Sequence, residues 1–252
     1  MNGYKGSYLN IVSALSSRNG LVLGGVCTEG SKRNEQAAMI KLIKMLSLKG
    51  AIVTSDAMGT QTTVVDAICE AGADYVLPVK DNQPDTAEAL KLCFKSPFSP
   101  VERYETVDKQ GGRFEERLYE MIVLNNNKLP FTEKWKNLKA VGKSVLTITQ
   151  KGVTTVEEHY YIMSVTDIKD FSSAARGHWG VESMHWRLDV VFREDDCMLQ
   201  DKKAQENLGV LRKIVLNAFK IDNPKGNMSS RRRRSGWNEQ ELLKTIKLLS
   251  RI

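Results

Sequence analysis

Residues 51–95 read AIVTSDAMGTQTTVVDAICEAGADYVLPVKDNQPDTAEALKLCFK. Ala51–Thr54 is a short apolar run that ends in Ser55-Asp56. A helical stretch follows from about Thr62 to Glu70 and stops at Ala71-Gly72. Tyr75–Val79 reads as a second strand, and Asp85 to about Phe94 as a second helix. Strand and helix alternating at such short intervals mark a βαβ unit with parallel strands, so the fold class is α/β. Upstream, Leu9–Leu15 and Leu21–Thr28 are β-type runs whose Asn19-Gly20 joint signals a hairpin expected to feed that sheet. From Asn34 the apolar residues Ala37, Ile40, Leu42, Ile43 and Leu46 recur at three- and four-residue spacing until Lys49-Gly50, which predicts an amphipathic helix. Downstream, Tyr104–Asp108, Arg113–Val123, Ala140–Gln150 and Thr154–Ser164 look extended and form a β-rich insertion. Helices are expected over Asp170–Phe192 and Ala204–Lys220. Asn223-Pro224-Lys225-Gly226 then breaks the chain. Ser229-Ser230 with Arg231–Arg234 reads as a mobile basic linker, and a terminal helix spans Glu239–Arg251.

The 252 residues are 41% hydrophobic and 27% charged, which excludes a wholly disordered chain. No apolar run approaches the ~18 residues of a membrane span, and no charged-then-apolar leader opens the sequence. The four cysteines are scattered without a Cys-x-x-Cys pair, as expected for free thiols in a reducing cytoplasm. Thirteen of the 37 Lys/Arg but only five of the 30 Asp/Glu fall in residues 201–252, so this last fifth carries +8 and the rest −1. A basic end of this kind points to a polyanionic partner, most often nucleic acid.

Two places carry acidic chemistry. On a continuous helix His178, Glu182, His185 and Asp189 fall within about 60° of one another, flanked by Trp179 and Trp186. Either this stripe hydrogen-bonds to a neighbouring element, or it serves a metal or a reacting phosphate. Asp56 stands at a strand end, where open α/β sheets place ligands, or it caps the turn before the next helix. Asp56 and Glu182 together suit Mg²⁺, a hard cation that takes few protein ligands and leaves places for phosphate oxygens. Lys80, near a strand end, and Arg176, ahead of the stripe, are candidate phosphate contacts. Arg231, Arg232, Arg233 and Arg234 can contact phosphates without reading bases, or can be a solvated linker. His159, His178 and His185 have no zinc-finger spacing, no P-loop is present, and no serine lies in a Gly-x-Ser-x-Gly elbow.

Several stretches resemble the H-repeat-associated proteins and the related ISAs-type insertion-sequence transposases, a family with an Asp-Asp-Glu site. They are Asn10–Ala14, Asn34-Glu35, Ile52–Gly59, Gly72–Leu77 with Lys80 and Asn82-Gln83, and above all Arg176–Glu182. That last match continues through His185-Trp186 and Leu188–Val190 to Phe192–Asp196, then Glu206-Asn207 and Leu211-Arg212. The resemblance covers about residues 7–220. It implies a ribonuclease-H-like transposase core over residues 1–100, a β-rich insertion over 101–165, helical completion over 166–222, and a basic linker with a terminal helix over 223–252. It implies a DNA transposase, DNA as partner, a homo-oligomer, and Mg²⁺, with Mn²⁺ as substitute, held by Asp56 and Glu182 as catalytic residues. His178, His185 and Asp189 would support them, and Lys80, Arg176, Arg187 and Arg193 would contact phosphates. The family's first aspartate, in an Asp-Gly-Lys segment before a Gly-Ser pair, has no match ahead of Gly6-Ser7. Asn2 is the nearest substitute, so the sequence reads as an N-terminally truncated copy. A catalytically inactive remnant that binds DNA is the alternative expectation.

Overall fold

The computed structural model describes residues 10–28, 32–96, 101–124, 132–222 and 226–249. The chain divides into two compact units, one of residues 1–46 with 177–252 and one of residues 47–176. The first segment holds β1 (Asn10–Ser16), β2 (Leu21–Thr28) and α1 (Lys32–Met45). The second unit holds β3 (Ile52–Val53), α2 (Thr62–Glu70), β4 (Asp74–Val79) and α3 (Pro84–Lys95). It continues with β5 (Glu102–Gln110), β6 (Arg113–Val123), β7 (Ala140–Gln150), β8 (Val153–Met163) and α4 (Ile168–Gly177).

In the second unit β3 and β4 run parallel across the α2 crossover, the βαβ arrangement expected from the alternation. β4 also pairs antiparallel with β8, and the sheet order is β3-β4-β8-β7-β6-β5. The extended middle of the chain therefore continues the sheet of β3 and β4. Tyr75, Val76, Leu77 and Val79 of β4 are buried, as befits a strand with neighbours on both edges. Phe171 of α4 is fully buried, with its ring edge-on to Tyr119 (5.5 Å) and Tyr161 (5.1 Å). Gly142 on β7 makes room for it: a Cβ there would lie 2.7 Å from Phe171 Cζ.

The last segment contributes α5 (Trp179–Trp186), a π-helical turn (Arg187–Val191), α6 (Lys202–Asp222), α7 (Met228–Trp237) and α8 (Glu239–Leu249) to the first unit. β1 and β2 form their own two-stranded sheet, so among the described residues the hairpin does not join the larger sheet as expected. The reason lies in its neighbours. α1 packs Ala38 and Leu42 on Val26, while Met184, Leu188, Leu216 and Phe219 build a core against Val22. Asn217 of α6 fixes this contact by a double hydrogen bond to Val22, donating to its carbonyl and accepting from its N–H, both at 2.8 Å.

Two further expectations are corrected. The helix expected over Asp170–Phe192 is interrupted at His178 and widens into the π turn. The basic run is not a mobile linker: Asn227 caps α7 by accepting from the Ser230 N–H at 3.0 Å. Arginine is a good helix former, and the helix is tied down at its start. Arg231 pairs with Asp222, donates to the Phe219 carbonyl and lies 5.0 Å over the Phe219 ring, while Arg232 donates to the Val191 carbonyl at 2.6 Å.

Candidate active site

Asp56 leaves β3 with extended backbone (φ −69°, ψ 172°) and is the N-cap of the 3₁₀ turn Ala57–Gly59. Its Oδ1 accepts from the Gly59 N–H at 3.0 Å, so the capping role is realised while the residue itself stays exposed. The loop is stitched to the one that follows β4. Thr60 donates its hydroxyl hydrogen to the Pro78 carbonyl at 2.6 Å, and Asn82 donates to the Ala57 carbonyl at 2.6 Å. Gln83 donates to the Thr60 carbonyl at 3.3 Å and accepts from Lys134 Nζ at 2.9 Å. Asp56 and Lys80 thus come to the same carboxyl-terminal edge of two parallel strands, on loops held by backbone-directed amides. Nothing local in the sequence assigns Asn82 and Gln83 this work, because their partners lie between 22 and 51 residues away.

Glu182 lies in the first turn of α5, exposed, in the unit formed by residues 1–46 and 177–252. His178 is the N-cap residue of that helix, and His185 is half-buried in its last turn. The stripe is wetter than its tryptophans suggested: Trp179 is 52% and Trp186 58% exposed. Asp189 falls in the π turn, where Phe192 N–H reaches back five residues to the Arg187 carbonyl at 3.1 Å. That wider turn takes Asp189 off the α-helical register assumed for the stripe. Asp189 meets Asp195, which the sequence reading gave no role. Burial first, and Asp195 next, raise the Asp189 carboxyl above its ordinary range, with His185 opposing.

Asp56 and Glu182 offer hard, exposed carboxylate oxygens, the donor chemistry that Mg²⁺ accepts. Among the described residues no three His, Cys, Asp or Glu gather into a group that could hold a metal ion. All four cysteines are free, with Cys27 pushed up to about 11 by burial first and then by Glu206. No helix among the described residues is long and apolar enough to cross a membrane.

The basic candidates separate. Arg176 is paired with Asp108 of β5 at 2.5 Å, and Arg231 and Arg232 are engaged within their own unit. Lys80, Arg233 and Arg234 are exposed. Arg193 has left-handed backbone (φ 52°) after the π turn, and its exposed guanidinium lies 4.0 Å from Asp196. Arg187 is half-buried on a cavity wall.

A family model described as "Transposase DDE domain" matches residues 2–218, and the chain belongs to that family. It is 36% identical over 223 residues to "Putative protein YbfL" of Escherichia coli (strain K12), covering 85% of this chain and 59% of that one. It is 35% identical over 223 residues to "H repeat-associated putative transposase YhhI" of the same strain, with the same coverage. "Putative transposase YncI" of Escherichia coli O157:H7 is 34% identical over 246 residues, 94% of this chain and 63% of that one. The chain thus spans about six tenths of the length of these curated relatives.

Proposed function

We propose that the chain carries the catalytic portion of an insertion-sequence transposase that cleaves DNA phosphodiesters and transfers strands. The observation that supports it is the placement of Asp56 at the carboxyl-terminal edge of the parallel pair β3–β4, in a chain of the Transposase DDE family. In this reading residues 1–100 and 166–222 form a ribonuclease-H-like core, 101–165 are its β-rich insertion, and 223–252 are a basic end. Asp56 and Glu182 would each offer a carboxylate ligand to Mg²⁺ or Mn²⁺. When bound, such a cation supplies Lewis-acid stabilisation of charge on the scissile phosphate. Asp56 keeps its loop closed through Gly59 while offering carboxylate oxygen outward, and Lys80 on the neighbouring loop attracts and orients the DNA backbone. His178 and His185 would position the helix that presents Glu182. Arg193, Arg233 and Arg234 would add phosphate contacts. Asp189 would serve its own carboxyl pair with Asp195.

The test is Mg²⁺-dependent nicking of supercoiled DNA by the full chain, compared with Asp56→Asn and Asp56→Ala. Asparagine caps as well as aspartate, so Asp56→Asn should fold like the parent and lose nicking; Asp56→Ala should also lose about 1 kcal/mol of stability. Nicking that survives in Asp56→Asn would remove Asp56 from the reaction. A second reading is DNA binding without cleavage, supported by the exposed Lys80, Arg233 and Arg234. It predicts salt-sensitive binding with no nicking, and Mn²⁺ affinity by calorimetry that Glu182→Gln leaves unchanged.

A further inference from the structure

Glu182 leaves the opposite face of its helix to other work. Gly180, Ser183 and Met184 share that face at three- and four-residue spacing, and Arg187 continues it into the π turn. With the β1–β2 turn and the end of α6 they enclose a cavity of about 210 Å³. Its polar walls are Ser17 and Gly20 of the hairpin turn, Ser183, Arg187, and Lys220 of the last turn of α6. Gly20 has φ +68°, and a Cβ built there would sit 3.7 Å from Lys220 Nζ, so the ammonium lies close over the turn. Among the described residues none of the walls carries a carboxylate.

We propose that this cavity is a phosphate-binding subsite, taking a phosphate group of the DNA backbone or inorganic phosphate. The guanidinium of Arg187 offers a planar fork for two phosphate oxygens, Lys220 supplies a compact charge, and the Ser17 and Ser183 hydroxyls supply neutral donors. The volume lies below the ~300–1,000 Å³ of organic-ligand pockets and is ample for one tetrahedral oxyanion. Burial first, and the Arg187 charge next, push the Lys220 ammonium below its ordinary value. An anion between them reverses that penalty. Glycine at position 20 adopts the left-handed turn that brings the hairpin under Lys220 without strain.

The inference rests on the transposase reading only for the source of the phosphate. Its test is thermal unfolding of the full chain in inorganic phosphate against chloride at matched ionic strength, with duplex-DNA binding followed against salt. The parent should gain about 2–4 °C in phosphate at roughly ten times the dissociation constant. Arg187→Gln and Lys220→Met should each lose the gain, and Lys220→Arg, which keeps the charge, should retain it. A fall of about 1 in the log–log salt slope of DNA binding in both charge-removing variants assigns the subsite to backbone phosphate. An unchanged slope with the lost thermal gain assigns it to free phosphate. Equal phosphate stabilisation of parent and variants, with an unchanged slope, overturns the proposal. Failure of the chain to nick DNA bears on Asp56 and Glu182 and leaves the phosphate shift standing.

Discussion

Asp189 shows how one side chain's surroundings decide what it can do. Its carboxyl is raised by burial and by Asp195, so ionising it costs more in the folded chain than in the unfolded one. A group raised in this way stabilises the fold below its unfolded pKa, and that contribution is lost as pH rises through the higher folded value. Replacing Asp189 by Asn removes the charge cost and keeps the shape. Urea denaturation should therefore show Asp189→Asn gaining on the parent as pH rises above about 4, and a constant gap would mean that the pair is not strained. Asp56 and Glu182 were legible as candidates because strand ends and helix faces can be read from spacing alone. Lys220 was not, since what makes it notable is a hairpin turn 200 residues away in the chain. Asn82 and Gln83 stood inside the family resemblance, yet their hydrogen bonds appear only once two loops meet.

At the scale of elements, periodicity located most of the fold. β2, β6, β7 and α2 occupy the residues their patterns predict, because each has a long apolar alternation or stripe between clear turn residues. The misses have local causes. β3 is two residues long because the chain leaves the sheet early to form the capped loop of Asp56. The arginine run became a helix because Asp222 and two backbone carbonyls take up Arg231 and Arg232, lowering the repulsion that a run of like charge would suffer. Gly142 has no space for a methyl group: a Cβ there would clash with Met163 Cε and lie 2.7 Å from Phe171 Cζ. Gly142→Ala should cost about 1–3 kcal/mol by overpacking. Denaturant melts would measure it; a neutral result would mean that α4 shifts freely on the sheet.

For the whole molecule, the basic end divides into arginines that build and arginines that face solvent. Deleting it would remove α7 and its anchors as well as charge. The cleaner experiment is the double substitution Arg233→Gln with Arg234→Gln. If both contact phosphates, the log–log salt slope of DNA binding should fall by about 1.8 with the melting temperature unchanged. An unchanged slope would leave Lys80, Arg193 and the Arg187–Lys220 subsite to carry the electrostatics.

The division of the first unit between the two ends of the described chain has a consequence during synthesis. Val22 leaves the ribosome 195 residues ahead of Asn217, the residue that will hold it. At about 5–20 residues per second the nascent hairpin waits roughly 10–40 s for α6 to emerge. Throughout that interval the continuous unit of residues 47–176 can fold as it is made, while Val22 lacks its α6 partner. Translation speed and chaperone capture should therefore affect the yield of this protein more through the β1–β2 hairpin than through the large sheet.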